Sequence, residues 1–157
     1  MNIMNFVFNP KKHVIYEPVN KKKYKGDVFP CARSSWEQNF YRWCDFNESV
    51  TAWSVESLAL EYFDPVKSKN RRYYPDVIMS VRDKSGKDRI YIVEIKPYSQ
   101  VMPPKMVNTK KEKTKINEMK TYITNRAKWK AAELYCKKRG YIFKILTEND
   151  IFKDGKP

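Results

Sequence analysis

Apolar residues recur at helical spacing shortly after residue 34, and further along the chain they alternate with polar ones. The helical stripe consists of Trp36, Phe40, Trp43 and Cys44. It predicts a helix of about three turns that begins at Ser34 or Ser35, where serine is a good N-cap, and ends near Phe46. Partial alternation over residues 50–63 predicts one or two strands, and the polar residues 64–70 predict a loop.

The clearest pattern is a β-hairpin. Residues 74–82 and 88–96 both alternate between apolar and polar positions, and they flank a polar connection at residues 83–87. In the second strand Tyr91, Val93 and Ile95 share one face, and the other face carries Ile90, Ile92, Glu94 and Lys96. A hairpin that closes symmetrically around Ser85 places Asp76 opposite Glu94. A charged pair therefore continues an apolar face at its far end.

The last third of the chain predicts helix and then strand. Pro97 ends the hairpin, a loop with Pro103 and Pro104 follows, and helical spacing runs from about residue 109 to Gly140. Asn125 lies inside one long helix or caps a second one. Residues 141–146 predict a strand, after which Thr147 caps a short turn. The fold class is α/β, a mixed sheet flanked by helices.

Residues 1–32 contain three prolines and scattered lysines without sustained periodicity, so we expect a basic, extended N-terminal arm. Residues 33–157 are then one domain, in line with a length of 157 residues.

The net charge of the chain indicates what kind of partner it binds. The chain has 32 Lys and Arg against 18 Asp and Glu, a formal charge of +14. This surplus attracts phosphate backbones and other polyanions, although a merely solvated basic surface has the same composition. The basic residues singled out as nucleic-acid contacts are Arg71, Arg72, Lys105, Lys110, Lys111 and Lys113.

Several function classes are excluded. No glycine-rich phosphate-binding motif occurs, so no nucleotide cofactor is expected. One histidine, His13, leaves no room for a catalytic triad or a histidine-rich metal site. Three cysteines without a CxxC pair indicate a reducing compartment. The absence of a membrane-spanning apolar run and of a signal peptide predicts a soluble protein of the cytoplasm.

The carboxylates of Asp76 and Glu94, if opposed, repel each other and destabilise the sheet. A raised pKa, a neighbouring cation or a bridging divalent metal would each offset this repulsion. Lys96 lies two residues beyond Glu94 and so on the same face. A register slip of one residue would instead turn the two carboxylates to opposite faces.

Pro75-Asp76 followed by Glu94-Ile95-Lys96 resembles the PD-(D/E)XK nuclease superfamily. The resemblance implies a restriction-endonuclease-like core in which Asp76 and Glu94 bind Mg²⁺, with Mn²⁺ as a substitute. It also implies that Lys96 orients or deprotonates the attacking water, and that Glu37, on the preceding helix, is a further metal ligand. Catalysis would then rest on Glu37, Asp76, Glu94 and Lys96.

A longer collinear likeness, over about residues 33–148, is to the head completion nucleases of tailed phages, and more distantly to TnsA-like endonucleases. It rests on segments that include Ser34-Ser35-Trp36-Glu37 and Lys128-Trp129-Lys130-Ala131-Ala132. The likeness implies a DNA nuclease of virion assembly that acts in head completion and head-tail joining. Its partners would be DNA and phage head or neck proteins, and it would be located in the host cytoplasm or in the virion.

Two alternatives remain open. One is a basic DNA-binding or virion-joining protein in which the carboxylates are only structural. The other is a TnsA-like endonuclease of transposition or host defence, whose partner protein determines the target.

Overall fold

The structure is a computed structural model that describes residues 13–151. In chain order the elements are β1 (Val14–Ile15), β2 (Cys31–Ala32), α1 (Ser35–Phe46), β3 (Val50–Val55), β4 (Leu60–Asp64), β5 (Lys69–Tyr73), β6 (Val77–Arg82), β7 (Asp88–Ile95), α2 (Tyr98–Val101), α3 (Glu112–Arg139), β8 (Ile142–Leu146) and α4 (Glu148–Ile151). None of the helices within this range is long and apolar enough to cross a membrane.

A four-stranded mixed sheet, in the order β3-β6-β7-β8, forms the centre. Its first three strands are antiparallel, whereas β8 runs parallel to β7 after a crossover through α3. Pairs such as Val77 with Val93 and Ile78 with Ile92 give β6 and β7 the predicted register. Extended by one residue, this register sets Asp76 opposite Glu94.

Helix α1 covers one face of the sheet, as its predicted stripe requires. Ser34 caps it by accepting a hydrogen bond from the Glu37 N–H. Phe40, Tyr41 and Cys44 pack with residues of β3, β6 and β7 that include Trp53, Met79, Val93 and Ile95. The odd-numbered side of β7 therefore belongs to this core, and the side with Glu94 faces away from it.

Helix α3 and the β4–β5 hairpin cover the other side, and β5 was not predicted. The loop expected over residues 64–70 ends at Ser68, and the strand expected from Tyr74 begins only at Val77. Buried Asp64 explains the hairpin, because its carboxylate accepts hydrogen bonds from the N–H groups of Val66 and Lys67 and from Arg71. The hairpin buries Leu60, Tyr62 and Tyr73 against Trp129 and Ala132 of α3.

Asn125 lies inside a single helix of 28 residues, not at the start of a second one. Gly140 ends this helix with φ 68°, a left-handed conformation that glycine adopts without steric cost. The loop expected after Pro97 contains the short helix α2. Thr147 directly precedes α4, and Asp150 accepts hydrogen bonds from the Thr147 N–H and hydroxyl at the start of this helix.

The described part of the N-terminal arm, residues 13–32, is packed on the domain. β1 pairs with β2, and Tyr24 bridges to Trp53 at the free edge of β3. Asp45 of α1 is fully buried and accepts hydrogen bonds from the Tyr16 hydroxyl and from the N–H groups of Val19 and Asn20. Residues 1–12 and 152–157 lie outside the described residues.

Candidate active site

Three side chains meet where β7 ends. Glu94 is 3% exposed, and its Oε2 accepts a hydrogen bond of 2.7 Å from the Tyr73 hydroxyl. Lys96 Nζ lies 3.0 Å from Glu94 Oε1. Asp76, just before β6, accepts a hydrogen bond of 2.6 Å from the Ile95 N–H through Oδ2. The hairpin register thus joins Asp76, Glu94 and Lys96 in one place.

Repulsion within this pair is visible in the electrostatics. Burial, and after it the charge of Glu94, raises the pKa of Asp76 to about 7, although the Ile95 hydrogen bond and Lys96 act in the opposite direction. Burial and the charge of Glu94 also raise the pKa of Tyr73 far above its usual value, so its hydroxyl remains a donor. The site therefore disfavours a negative charge on Asp76 beside that of Glu94.

Lys96 remains a cation. Burial favours its neutral amine, but attraction by Glu94 and Asp76 outweighs that effect and raises its pKa above the usual value. It is therefore a positive hydrogen-bond donor beside both carboxylates.

Glu37 lies at the edge of the same cluster. Its Oε2 accepts a hydrogen bond of 2.7 Å from the Arg33 N–H, an arrangement similar to a capping box at the start of α1. Burial raises the pKa of Glu37, and the charge of Lys96 lowers it. Helix α1 thus places Glu37 at the edge of the site. The Glu37 carboxylate, however, is already hydrogen-bonded to the backbone just before the helix.

No pattern in the sequence indicates that Arg33 lies beside Glu37. Its guanidinium pairs with Glu56 at 2.7 Å. Glu56 follows β3 with φ 47°, a left-handed conformation that is uncommon for a residue with a side chain. Its N–H donates to the Asp76 carbonyl. Arg33 and Glu56 therefore connect the start of α1 to the segment that carries Asp76. Tyr73 was also missed, because β5 was not predicted.

The donor set suits a hard cation. Mg²⁺ prefers oxygen ligands and is commonly held by one or two protein carboxylates, with water and substrate phosphate in its other positions. Asp76 and Glu94 supply two such groups in register, and their repulsion favours an added positive charge. No set of three or more His, Cys, Asp or Glu side chains within residues 13–151 converges on one ion. Glu37 as a third ligand stays a prediction.

The structure distributes the predicted nucleic-acid contacts over β5, the loop before α3 and the start of α3. Arg71 binds Asp64 at 3.1 Å, and Arg72 is exposed on the opposite side of β5. Lys105 and Lys110 line a cleft of about 1230 Å³ between α2 and α3, where Lys110 pairs with Glu118 at 2.7 Å. Lys111 and Lys113 are exposed at the start of α3. Their role in DNA binding stays a prediction.

Comparison with known proteins places this arrangement in a family. The model of the family described as "TnsA-like endonuclease N terminal" matches residues 47–148. The chain belongs to the TnsA-like endonuclease family. The head completion nuclease of Enterobacteria phage T4 is 38% identical over 138 residues, which cover 85% of this chain and 89% of that protein. No solved structure matches the chain.

Membership in this TnsA-like family confirms the predicted PD-(D/E)XK relationship and the restriction-endonuclease-like fold. The matched range includes Asp76, Glu94 and Lys96, whereas Glu37 precedes it. The metal-site assignment of Asp76 and Glu94 therefore rests on the hairpin geometry within the family domain, and that of Glu37 on its place in α1.

The raised pKa of Asp76 predicts how stability depends on pH. In EDTA the unfolded chain loses the Asp76 proton near the ordinary value of about 4, but the folded protein keeps it until about pH 7. The free energy of unfolding should therefore fall over this interval. Asp76→Asn cannot titrate at this position, so its free energy of unfolding should not show this fall. The free energy of unfolding of Asp76→Asn minus that of wild type should therefore be larger at about pH 8 than at about pH 5. Urea unfolding of both proteins measures it, and an equal difference at both pH values would contradict the raised pKa.

Glu37→Gln tests a supporting role for Glu37. The glutamine amide oxygen still accepts the Arg33 hydrogen bond, so α1 should fold normally. A group that acts through a water on a metal site typically contributes about 10–100-fold, and we expect a loss of that size in cleavage rate. Single-turnover cleavage and a melting curve check this. An unchanged rate would remove Glu37 from the site.

Proposed function

We propose that this protein is a Mg²⁺-dependent DNA endonuclease that acts in phage head completion, with Mn²⁺ as a substitute metal. The observation that carries the proposal is the opposition of Asp76 and Glu94 across the β6–β7 hairpin, with Lys96 held 3.0 Å from Glu94. Membership in a family of endonucleases supports the activity. Likeness to the T4 head completion nuclease supports the role in virion assembly.

The residues have separate tasks in this proposal. Asp76 and Glu94 hold the metal, which supplies Lewis-acid stabilisation of phosphate charge and a more acidic bound water. The Ile95 N–H orients Asp76, and the Tyr73 hydroxyl orients Glu94. Lys96 presents a positive donor to the phosphate oxygen on which charge develops. No nucleophilic side chain is needed.

Incubation of the protein with linear and with covalently closed circular DNA tests the activity. We expect Mg²⁺ or Mn²⁺ to support cleavage of both, and EDTA to abolish it. A binding or virion-joining protein with structural carboxylates predicts DNA binding without cleavage in either metal. Cleavage that persists in EDTA would contradict the metal assignment.

The assembly role needs a separate test, since a transposition or defence endonuclease would cut DNA as well. A phage that encodes this protein with Asp76→Asn should produce fewer infectious particles, although the variant protein is present. Normal infectious yield would contradict a role of cleavage in head completion. Head or neck proteins recovered with the wild-type protein would support the proposed partners and its association with the virion.

A further inference from the structure

A second polar surface lies beside the candidate site, between the β4–β5 hairpin and α3. It is a groove of about 380 Å³, which we call the α3 groove. Six of its polar lining residues carry the argument: Lys67, Arg71, Lys120, Thr124, Asn125 and Lys128. Those from α3 recur every three or four residues, so one face of the helix is polar along this groove.

The groove has surplus positive charge. Its acidic residue, Asp64, is fully buried and already binds Arg71, two backbone N–H groups and the Thr124 hydroxyl. Within the described part of the chain, no ion pair joins Lys67, Lys120 or Lys128 to a carboxylate. Their charges are therefore available to an anion that enters the groove.

Lys128 connects the groove to the candidate active site. Its ammonium lies 5.8 Å from the centre of the Tyr73 ring, and the hydroxyl of that ring binds Glu94. Burial lowers the pKa of Lys128; the charge of Glu94 raises it, and the positive charges of Lys96 and Arg71 lower it again, with a net lowering. A bound phosphate would relieve this crowding of cations.

Asn125 provides a second, independent observation. It is 6% exposed and lines the groove, and no hydrogen bond joins its side chain to another residue within 13–151. Among the described residues, the buried side-chain polar atoms without a hydrogen-bond partner are Trp53 Nε1 and Trp129 Nε1, so the Asn125 amide remains accessible from the groove. Its amide donor suits a phosphate oxygen.

We propose that the α3 groove binds the phosphodiester backbone of DNA beside the bond that is cut. This inference rests on the proposed nuclease function. It places the DNA backbone along the face of α3 that lines the groove. Lys120 and Lys128 are two turns apart, about 12 Å along the helix axis. Phosphates of one B-DNA strand recur about every 3.4 Å along the duplex axis, so this distance corresponds to about three to four phosphate steps.

The test compares two double variants with the same loss of charge. Lys67→Gln/Lys120→Gln changes the groove, whereas Lys130→Gln/Lys137→Gln changes lysines that helical geometry places on the opposite side of α3. Binding of a short linear duplex is measured in EDTA over a range of salt concentrations. Each lost phosphate contact lowers the slope of log affinity against log salt by about 0.9.

For the groove variant we expect a slope about 1.8 smaller and, at about 0.15 M salt, an affinity about 30-fold lower than that of wild type. The control variant should remain close to wild type. Equal effects of the two variants would overturn the groove and leave only general attraction by the basic surface. Because binding is measured without metal, this result does not depend on whether the protein cuts DNA.

Discussion

Asp76→Asn should lower the rate of DNA cleavage by at least about 10³-fold and leave the protein folded. The metal that Asp76 is proposed to hold contributes several kcal/mol of charge stabilisation, and each 1.4 kcal/mol corresponds to a factor of ten in rate. The asparagine oxygen can still accept the Ile95 N–H, so the end of β7 should keep its geometry. At about pH 8, where Asp76 is ionised, loss of one of two opposed charges should also raise the melting temperature in EDTA.

Asp88→Asn is the matched control. It makes the same chemical change on the same hairpin, at the far end of β7, where Asp88 forms an exposed ion pair with Arg82 at 2.9 Å. Exposed pairs of this kind contribute about 0–1 kcal/mol, so the control should cut DNA normally and melt close to wild type. Single-turnover cleavage at saturating Mg²⁺ measures the difference. Wild-type cleavage by Asp76→Asn would place the active site elsewhere.

The most informative prediction from the sequence is the register of the β6–β7 hairpin. Symmetric closure around Ser85 predicts that Asp76 opposes Glu94, and the observed pairs Val77–Val93 and Arg82–Asp88 follow the same symmetry. It could be predicted because a short polar turn at residues 83–87 joins the two strands, and the length of this turn sets which residues face each other. Local pattern was sufficient here.

The missed features depend on side chains distant in sequence. Strand β5 has the sequence KNRRY, without an alternating apolar face, and it forms because Asp64 binds the turn and Arg71 while Tyr73 packs on α3. Because β5 was not predicted, Tyr73 was not identified as a partner of Glu94. Asn125 suggested a helix cap, although it lines a groove, because sequence alone does not show which face of a long helix is covered.

The basic residues show the same limit. A lysine-rich run at the start of α3 predicts phosphate contacts, yet Lys110 there pairs with Glu118. Lys67 and Lys120 belong to no lysine-rich run in the sequence, but the β4–β5 hairpin and α3 bring them into one groove. Net charge identifies the kind of partner, and tertiary structure decides which charges are free to meet it.

Lys96→Met should separate chemistry from metal binding. Asp76 and Glu94 remain, so Mg²⁺ affinity should be kept or rise once a neighbouring positive charge is gone. The cleavage rate at saturating Mg²⁺ should fall by about 10²–10³-fold, by analogy with the loss of one donor that stabilises transition-state charge. Methionine keeps the length of the side chain, so the change is mainly the loss of the ammonium.

A purely structural Lys96 predicts a different combination of results. The Lys96–Glu94 pair is largely buried, with side chains 28% and 5% exposed. Removal of one partner from such a pair typically costs about 3–5 kcal/mol because the remaining charge is buried alone. Both roles therefore predict a lower melting temperature in EDTA. Only the structural role predicts that Mg²⁺, by neutralising Glu94, restores normal turnover.

Single-turnover cleavage at saturating Mg²⁺, combined with melting curves with and without the metal, distinguishes the two roles. Lys84→Met, in the exposed turn at the other end of the same hairpin, controls for the loss of one positive charge. We expect the control to match wild type in both measurements. For Lys96→Met we expect Mg²⁺ to recover much of the lost stability and little of the lost rate, because the metal replaces the positive charge beside Glu94 but not the ammonium donor that Lys96 is proposed to present to the phosphate oxygen. Near-normal turnover would show that Lys96 only balances the charge of Glu94.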